Sequence, residues 1–176
     1  GGWGQKPGTR VGTSERASAA GAPVSAGVVQ RYHAMMAEVA EILTPYGATK
    51  GVPVACISSR QVIEGAAVAR AAGAGGCVGA PVPSIEVRII RIDDGPIERF
   101  RDDWVLEPGE IGEITVRGPQ TTRAYYNRPD ATARAKIPDP DGSLRHPLGA
   151  VGYLDREGFL RFCRLTAPPL PHRHSA

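Results

Sequence analysis

The chain has 176 residues, enough for one domain with a core of its own and too few for two large ones. Apolar residues make up 41% and charged residues 22%, the balance of a globular chain, which excludes a fibre or a disordered polymer. The net charge of +3 sits at the ends: residues 1–20 carry +2 and 156–176 carry +3, while 21–155 hold 14 basic and 16 acidic side chains, so no basic face for nucleic acid is expected.

Glycine (22) and proline (16) form about a fifth of the chain, against a usual share of roughly 12%, so turns should be many and long helices few. No apolar run approaches the ~20 residues needed to cross a bilayer, and GGWGQKPGTR at the start has no apolar signal core. A soluble, cytoplasmic protein is expected. Cys56, Cys77 and Cys163 are widely spaced with no CxxC pair, which predicts three reduced thiols and neither a zinc site nor a disulfide framework.

Residues 1–19 show no apolar periodicity and predict a loose arm. From Ser25, a plausible N-cap, Val28, Tyr32, Met35 or Met36, and Val39 recur at three and four, predicting a helix over about 26–40 with these residues in the core. Glu41–Thr44 reads as a short strand ending in the turn formers Pro45, Tyr46 and Gly47. Val62, Ala66 and Ala69 suggest a second helix over 60–71, interrupted by Gly65. GAGGCVGAPVP at 73–83 lacks phosphate-loop spacing and reads as a flexible linker.

From residue 84 the pattern is β. Ile85, Val87 and Ile89 alternate before Ile90 and Ile92 change parity, as in a bulged strand or one buried on both faces. Asp93, Asp94 and Gly95 predict a turn. Ile114 and Val116 alternate with Glu113, Thr115 and Arg117 in a half-exposed strand, and Arg128–Ile137 suggests a short helix with Pro129 in its first turn. Tyr153–Asp155 and Phe159–Cys163 should form a hairpin about the Asp155–Gly158 turn. The tail RLTAPPLPHRHSA has no pattern.

Chemistry is sparse at this level. There is no GxSxG elbow, HExxH or Walker loop. His172 and His174 in a proline-rich tail read as solvated, Asp93 and Asp94 as a turn, and no residue is assigned to a metal. TPYGAT at 44–49 stands out: a flat aromatic face, a glycine allowing close backbone approach and a hydroxyl, at the end of a presumed strand where α/β folds place ligands.

Four blocks in order then give a resemblance to the AMP-forming acyl-CoA synthetase and ligase family of adenylate-forming enzymes. SAAGAPVSAGVV at 18–29 resembles the loop bordering adenine, and TPYGATK at 44–50 the YGxTE motif. EPGEIGEITVRGPQTTRAYYNRP at 107–129 is similar to the GEI/GELxVRGxxxxxGYxxxP motif, and HPLGAVGYLDREGFLRF at 146–162 to a Gly-Asp pair followed by GYLDxxGxL. PVPSIEVRIIRIDDGPI resembles the fatty acid CoA ligase subset that includes olefin-pathway β-lactone synthetases. The resemblance implies that ATP and a carboxylic acid give an acyl-adenylate and pyrophosphate, and that CoA, or the substrate's own hydroxyl, then takes the acyl group. It implies an α/β fold: an irregular arm over 1–17, the C-terminal part of a mixed α/β nucleotide-binding domain over 18–83, a small β-barrel-like subdomain over 84–163, and a disordered tail over 164–176. Tyr46 would stack on adenine with Gly47 and Ala48 beside it, Gly21, Ala22 and Pro23 would shape the base pocket, Thr49 would bond the α-phosphate, and Mg²⁺ would bridge the phosphates.

Three positions depart from the family pattern. Lys50 stands where the resemblance implies a magnesium-associated Glu, reversing an interaction of about 4 kcal/mol at ~4 Å and an effective dielectric near 20. Ala150 stands where it implies a ribose-holding Asp, a loss of about 1.5–3 kcal/mol. Arg164-Leu165-Thr166 replaces a Gly-Arg-Lys hinge. With the upstream phosphate loop and the C-terminal domain with its catalytic Lys also lacking, the expectation is a truncated, inactive copy that self-associates through exposed apolar surface, the alternative being a non-catalytic remnant that keeps the scaffold for nucleotide or partner binding.

Overall fold

Alternating apolar residues build most of this molecule, and the elements they form are strands. The computed structural model describes residues 16–18, 26–35, 41–48, 51–64, 75–93, 95 and 97–166. Among them the strands are β1 (Arg16–Ser18), β2 (Glu41–Ala48), β3 (Gly51–Ser58), β4 (Gly76–Pro81), β5 (Glu86–Ile90), β6 (Gly112–Arg117), β7 (Ile137–Pro138), β8 (Leu144–Leu154) and β9 (Leu160–Leu165). They lie in the order β1-β2-β3-β4-β9-β8-β6-β5, with β7 paired to β8. β1 runs parallel to β2, and the other pairings are antiparallel. The helices are short: α1 (Ala26–His33), α2 (residues 59–64) and α3 (Pro129–Ala135).

This corrects the expected architecture. The described residues form a mostly antiparallel sheet, and it does not close into a barrel. β4 explains why. Its first half pairs with β9 through Gly76↔Phe162 and Cys77↔Arg161, and its last residues pair with β3 through Ala55↔Pro81 and Cys56↔Ala80. With both edges of β4 taken, β5 and β1 remain at opposite ends. The segment expected to be a linker is thus a central strand, and its glycines serve close packing. Gly79 has φ +103°, and a Cβ there would run into the Cys56 carbonyl on β3, so only glycine fits.

β1 lies partly in the expected loose arm, where Arg16–Ser18 pairs with Glu41–Leu43. α1 stops at His33, and only a turn follows before the described residues end at Met35. Among its described side chains Val29 is buried and Val28 half-buried, whereas Tyr32 and Met35 are exposed where core was expected; Met36 and Val39 lie outside the described residues. β2 continues past Thr44 through Pro45, Tyr46 and Gly47, with a register irregularity between Tyr46 and Ala48. α2 begins at residue 59 because Ser58 and Gln61 cap it reciprocally: the Ser58 N–H donates to Gln61 Oε1 (3.0 Å) and the Gln61 N–H to Ser58 Oγ (3.3 Å), a capping box. At the other end, Arg164 and Leu165 belong to β9 where a patternless tail was expected.

Two apolar clusters pack on this sheet. The larger contains Val54, Ala55, Val78, Ile85, Val87, Ile89, Ile114, Val116, Ala150 and Leu160, with Tyr46 and Phe162 against it. The smaller contains Ile90, Ile97, Phe100 and Ile137, with Trp104 and Val105 alongside. β5 supplies both, Val87 and Ile89 to the first and Ile90 to the second, so its mixed parity reflects burial on both faces. The expected terminal hairpin forms: Asp155 Oδ1 accepts from the Glu157 and Phe159 N–H groups (3.1 and 2.9 Å), and Gly158 takes φ +83°. α3 carries Pro129 in its first turn, as expected, and the Gly95 N–H bonds Asp93 Oδ1 (2.8 Å) in the expected bend.

Candidate nucleotide site

Tyr46 gives the site its geometry. It lies on β2 opposite Ala55 of β3, with its ring centroid 5.8 Å from that of Phe162 on β9 and the planes at 51°. Burial pushes its phenol up to about 12, so at neutral pH the hydroxyl keeps its proton and can donate. Gly47 beside it is exposed and Ala48 half-buried. An aromatic ring fixed on one side, followed by open backbone, suits a planar base.

Ala150 reaches the same apolar cluster from β8. The pairing of β6 with β8 runs Glu113↔Val151 and then Thr115↔Pro147, so β8 bulges over 148–150. Gly149 sits in the bulge with φ +66°, and its carbonyl accepts the Thr166 N–H at 2.9 Å. The bulge turns the Ala150 methyl inward, where it is 2% exposed and packs with the cluster. Bulges often re-aim side chains at sites; this one aims a methyl, which accepts no hydrogen bond. Sequence reading did not assign Phe162 to the site, although its place in the β9 alternation was visible. What was hidden is the order of strands that sets β9 near β2.

Gly21, Ala22, Pro23, Thr49 and Lys50 lie outside the described residues, as do His172 and His174. Among the described residues no group of three or more His, Cys, Asp or Glu could hold a metal ion. The position where the resemblance implies a magnesium contact, Lys50, is not among them. All three cysteines are free. Burial pushes the Cys56 thiol up, with the Glu41 charge adding to it, and burial raises Cys163 against the opposing Arg164. Neither is an activated thiolate. No helix of the described residues is long and apolar enough to cross a membrane.

Known proteins share sequence and fold with this chain. Residues 5–126 match the model of the AMP-binding enzyme family. An olefin beta-lactone synthetase of Stenotrophomonas maltophilia is 48% identical over 162 residues, which is 90% of this chain and 29% of that protein. A long-chain-fatty-acid–CoA ligase of Salmonella typhimurium is 32% identical over 80% of this chain and 21% of its own length. Among solved structures, an amide bond synthetase from Marinactinospora thermotolerans aligns with TM-score 0.64 and 26% identity over 86% of this chain and 26% of that one. A long-chain-fatty-acid-CoA ligase from Archaeoglobus fulgidus shares the fold at TM-score 0.65 and 24% identity over 88% of this chain and 29% of that one. The chain thus spans under a third of the length of these relatives. The family match covers more than half of the chain, Tyr46 included, and the chain belongs to the AMP-binding, adenylate-forming enzyme family.

Proposed function

We propose that this stretch forms one wall of the nucleotide site, with the adjoining β-rich subdomain, in an enzyme that activates a fatty acid with ATP, giving an acyl-adenylate and pyrophosphate. The observation that carries the reading is the family match over residues 5–126, which contains Tyr46 on its apolar seat. In this reading Tyr46 stacks on adenine, Gly47 and Ala48 line its edge, and Gly21, Ala22 and Pro23 close the base pocket. Thr49 donates to the α-phosphate as charge builds there. When bound, magnesium supplies charge neutralisation on the phosphates.

For the acyl acceptor, one comparison favours the substrate's own β-hydroxyl over CoA: identity to the olefin beta-lactone synthetase is 48%, against 32% for the CoA ligase. By itself the chain does not turn over, because Lys50 and Ala150 replace the two carboxylates the resemblance implies. The exposed Tyr32, Met35, Ile111 and Leu165 favour association with further copies of the chain. We place the enzyme in the cytoplasm.

Transplanting this chain into the Stenotrophomonas maltophilia protein in place of the matching segment, with Lys50→Glu and Ala150→Asp to restore the two carboxylates, tests the acid class. Mass spectrometry should find a β-lactone from a long-chain 3-hydroxy acid. An acyl-CoA product would favour the CoA reading, and a soluble, folded hybrid that forms no adenylate would refute both.

A further inference from the structure

We propose that residues 97–105 and 136–143 form a strap over the second face of the sheet, fastened by a closed ring of four charges and able to open while the sheet stays folded. The ring alternates in sign. Arg117 of β6 reaches Glu86 Oε2 through Nη2 (2.6 Å) and Asp139 Oδ2 through Nη1 (3.3 Å). Arg145 of β8 reaches the same two atoms through Nη2, at 3.3 and 3.4 Å. Each carboxylate is therefore shared by both guanidinium groups. Sheet register sets this up: Glu86 faces Arg117 directly, and Val116↔His146 brings Arg145 into the same row.

Asp139 is the only ring member on the strap, and its side chain and that of Arg145 are 3% and 2% exposed. Phe100, also on the strap, places its ring 4.2 Å from Arg145 Cζ. Arg145 Nε and Nη1 are buried with no hydrogen-bond partner among the described residues, so its positive charge depends on the two carboxylates and on the aromatic face. Removing one partner of a buried ion pair is far costlier than the pair's net worth, and here that cost falls on the strap.

Beyond the ring, the strap also has an internal fastening. Its two halves are joined by the Phe100 N–H donating to the Pro138 carbonyl (2.9 Å). It meets the sheet through the Ile90↔Val105 bridge, the Arg91–Trp104 backbone bond, the Arg91 guanidinium over the Trp104 ring, the two residues of β7, and Arg117 donating to Asp141 Oδ2 and Ser143 Oγ. Its apolar cluster shares Ile90 with β5 and none of the residues of the main cluster. Regions with few such ties open sub-globally, ahead of the whole fold.

Hydrogen exchange followed by mass spectrometry on the full 176-residue chain tests this, comparing it with Asp139→Asn and with Asp141→Asn. Asp141 is exposed and bonds Arg117 at 2.9 Å, so its loss should be milder. In Asp139→Asn, amides of 97–105 and 137–143 should exchange at least tenfold faster while those of β3, β9 and residues 150–154 keep their rates. Asp141→Asn should give a smaller change in the same segments. A uniform rise over all segments, no change in either variant, or loss of the whole fold in both would overturn the proposal.

Discussion

The Tyr46 ring lies 5.8 Å from that of Phe162, and this contact links β2 to β9, strands that are separated in the sheet by β3 and β4. The pair makes the candidate base seat a product of the whole sheet. Phe162→Ala should cost stability toward the lower end of the about 3–5 kcal/mol seen for large aromatic truncations, since Phe162 is only half-buried. It should also lower the Tyr46 phenol from about 12 toward its ordinary value by wetting the ring. Because the folded value is raised, Tyr46 stabilises the fold fully below the unfolded value near 10 and loses that contribution as pH rises through about 12. Ultraviolet titration of the tyrosines in the two proteins checks this. An unchanged titration curve would mean that Phe162 does not bury Tyr46.

Ala150→Asp separates two expectations. Read from the sequence, it restores a ribose-binding carboxylate. In the folded chain the methyl is 2% exposed among Val54, Ala55, Leu160 and their neighbours, where an unpaired carboxylate costs several kcal/mol, on the order of 3–5. The expected result is a lower melting temperature that outweighs any gain in nucleotide affinity. Thermal melting beside AMP calorimetry decides, and an unchanged Tm with tighter AMP binding would show that the bulge at 148–150 can turn the side chain outward.

Much of the second half was legible because short-range signals there agree. The Asp155–Gly158 turn and the proline opening α3 each depend on residues within one element, whereas β6, expected to be half-exposed, buries Thr115 as fully as Ile114 and Val116. Where neighbours from elsewhere decide, sequence reading failed. Gly76–Pro81 looks like a linker until β3 and β9 flank it, and Tyr32 and Met35 look like core until Val29 takes that place. The S-x-x-Q pattern at Ser58–Gln61 is a short-range capping signal of the same legible kind. The ion ring was out of reach, since Glu86 and Arg145 are 59 residues apart and meet only through register.

Lys50→Glu should strengthen magnesium-dependent binding of ATP by about tenfold or more, as an opposing charge is exchanged for an attractive one, and should leave binding of AMP without metal little changed. Titration calorimetry with and without magnesium measures the difference. Equal affinities of the two proteins for the magnesium complex would detach position 50 from the phosphates.

Acid sensitivity should centre on Glu86. Burial pushes its carboxyl up, but hydrogen bonds from Arg88 and Arg117 and the charges of Arg145 and Arg117 bring it below its ordinary value. A depressed carboxyl contributes stability above its unfolded value and loses it as pH falls through the folded one. Stability should therefore drop as the pH goes below about 4.5, and Glu86→Gln should flatten that limb while lowering stability at neutral pH. Urea unfolding from pH 7 to pH 3 reads both, and identical acid limbs would place the titrating group elsewhere.

Gly79→Ala tests the position of β4. With φ +103° and the Cys56 carbonyl in the way, the substitution should cost more than the roughly 1 kcal/mol of an ordinary glycine effect. Chemical denaturation measures it, and a neutral or stabilising result would mean that β4 does not pass this close to β3.

ATP–pyrophosphate exchange by the unaltered 176-residue chain, with medium- and long-chain fatty acids and their 3-hydroxy counterparts, bears most directly on the proposal that the chain keeps the seat for the base while Lys50 and Ala150 disable the site. No exchange above the protein-free background is the expected result. Acid-dependent exchange would contradict it, showing that other residues supply what those two positions lack.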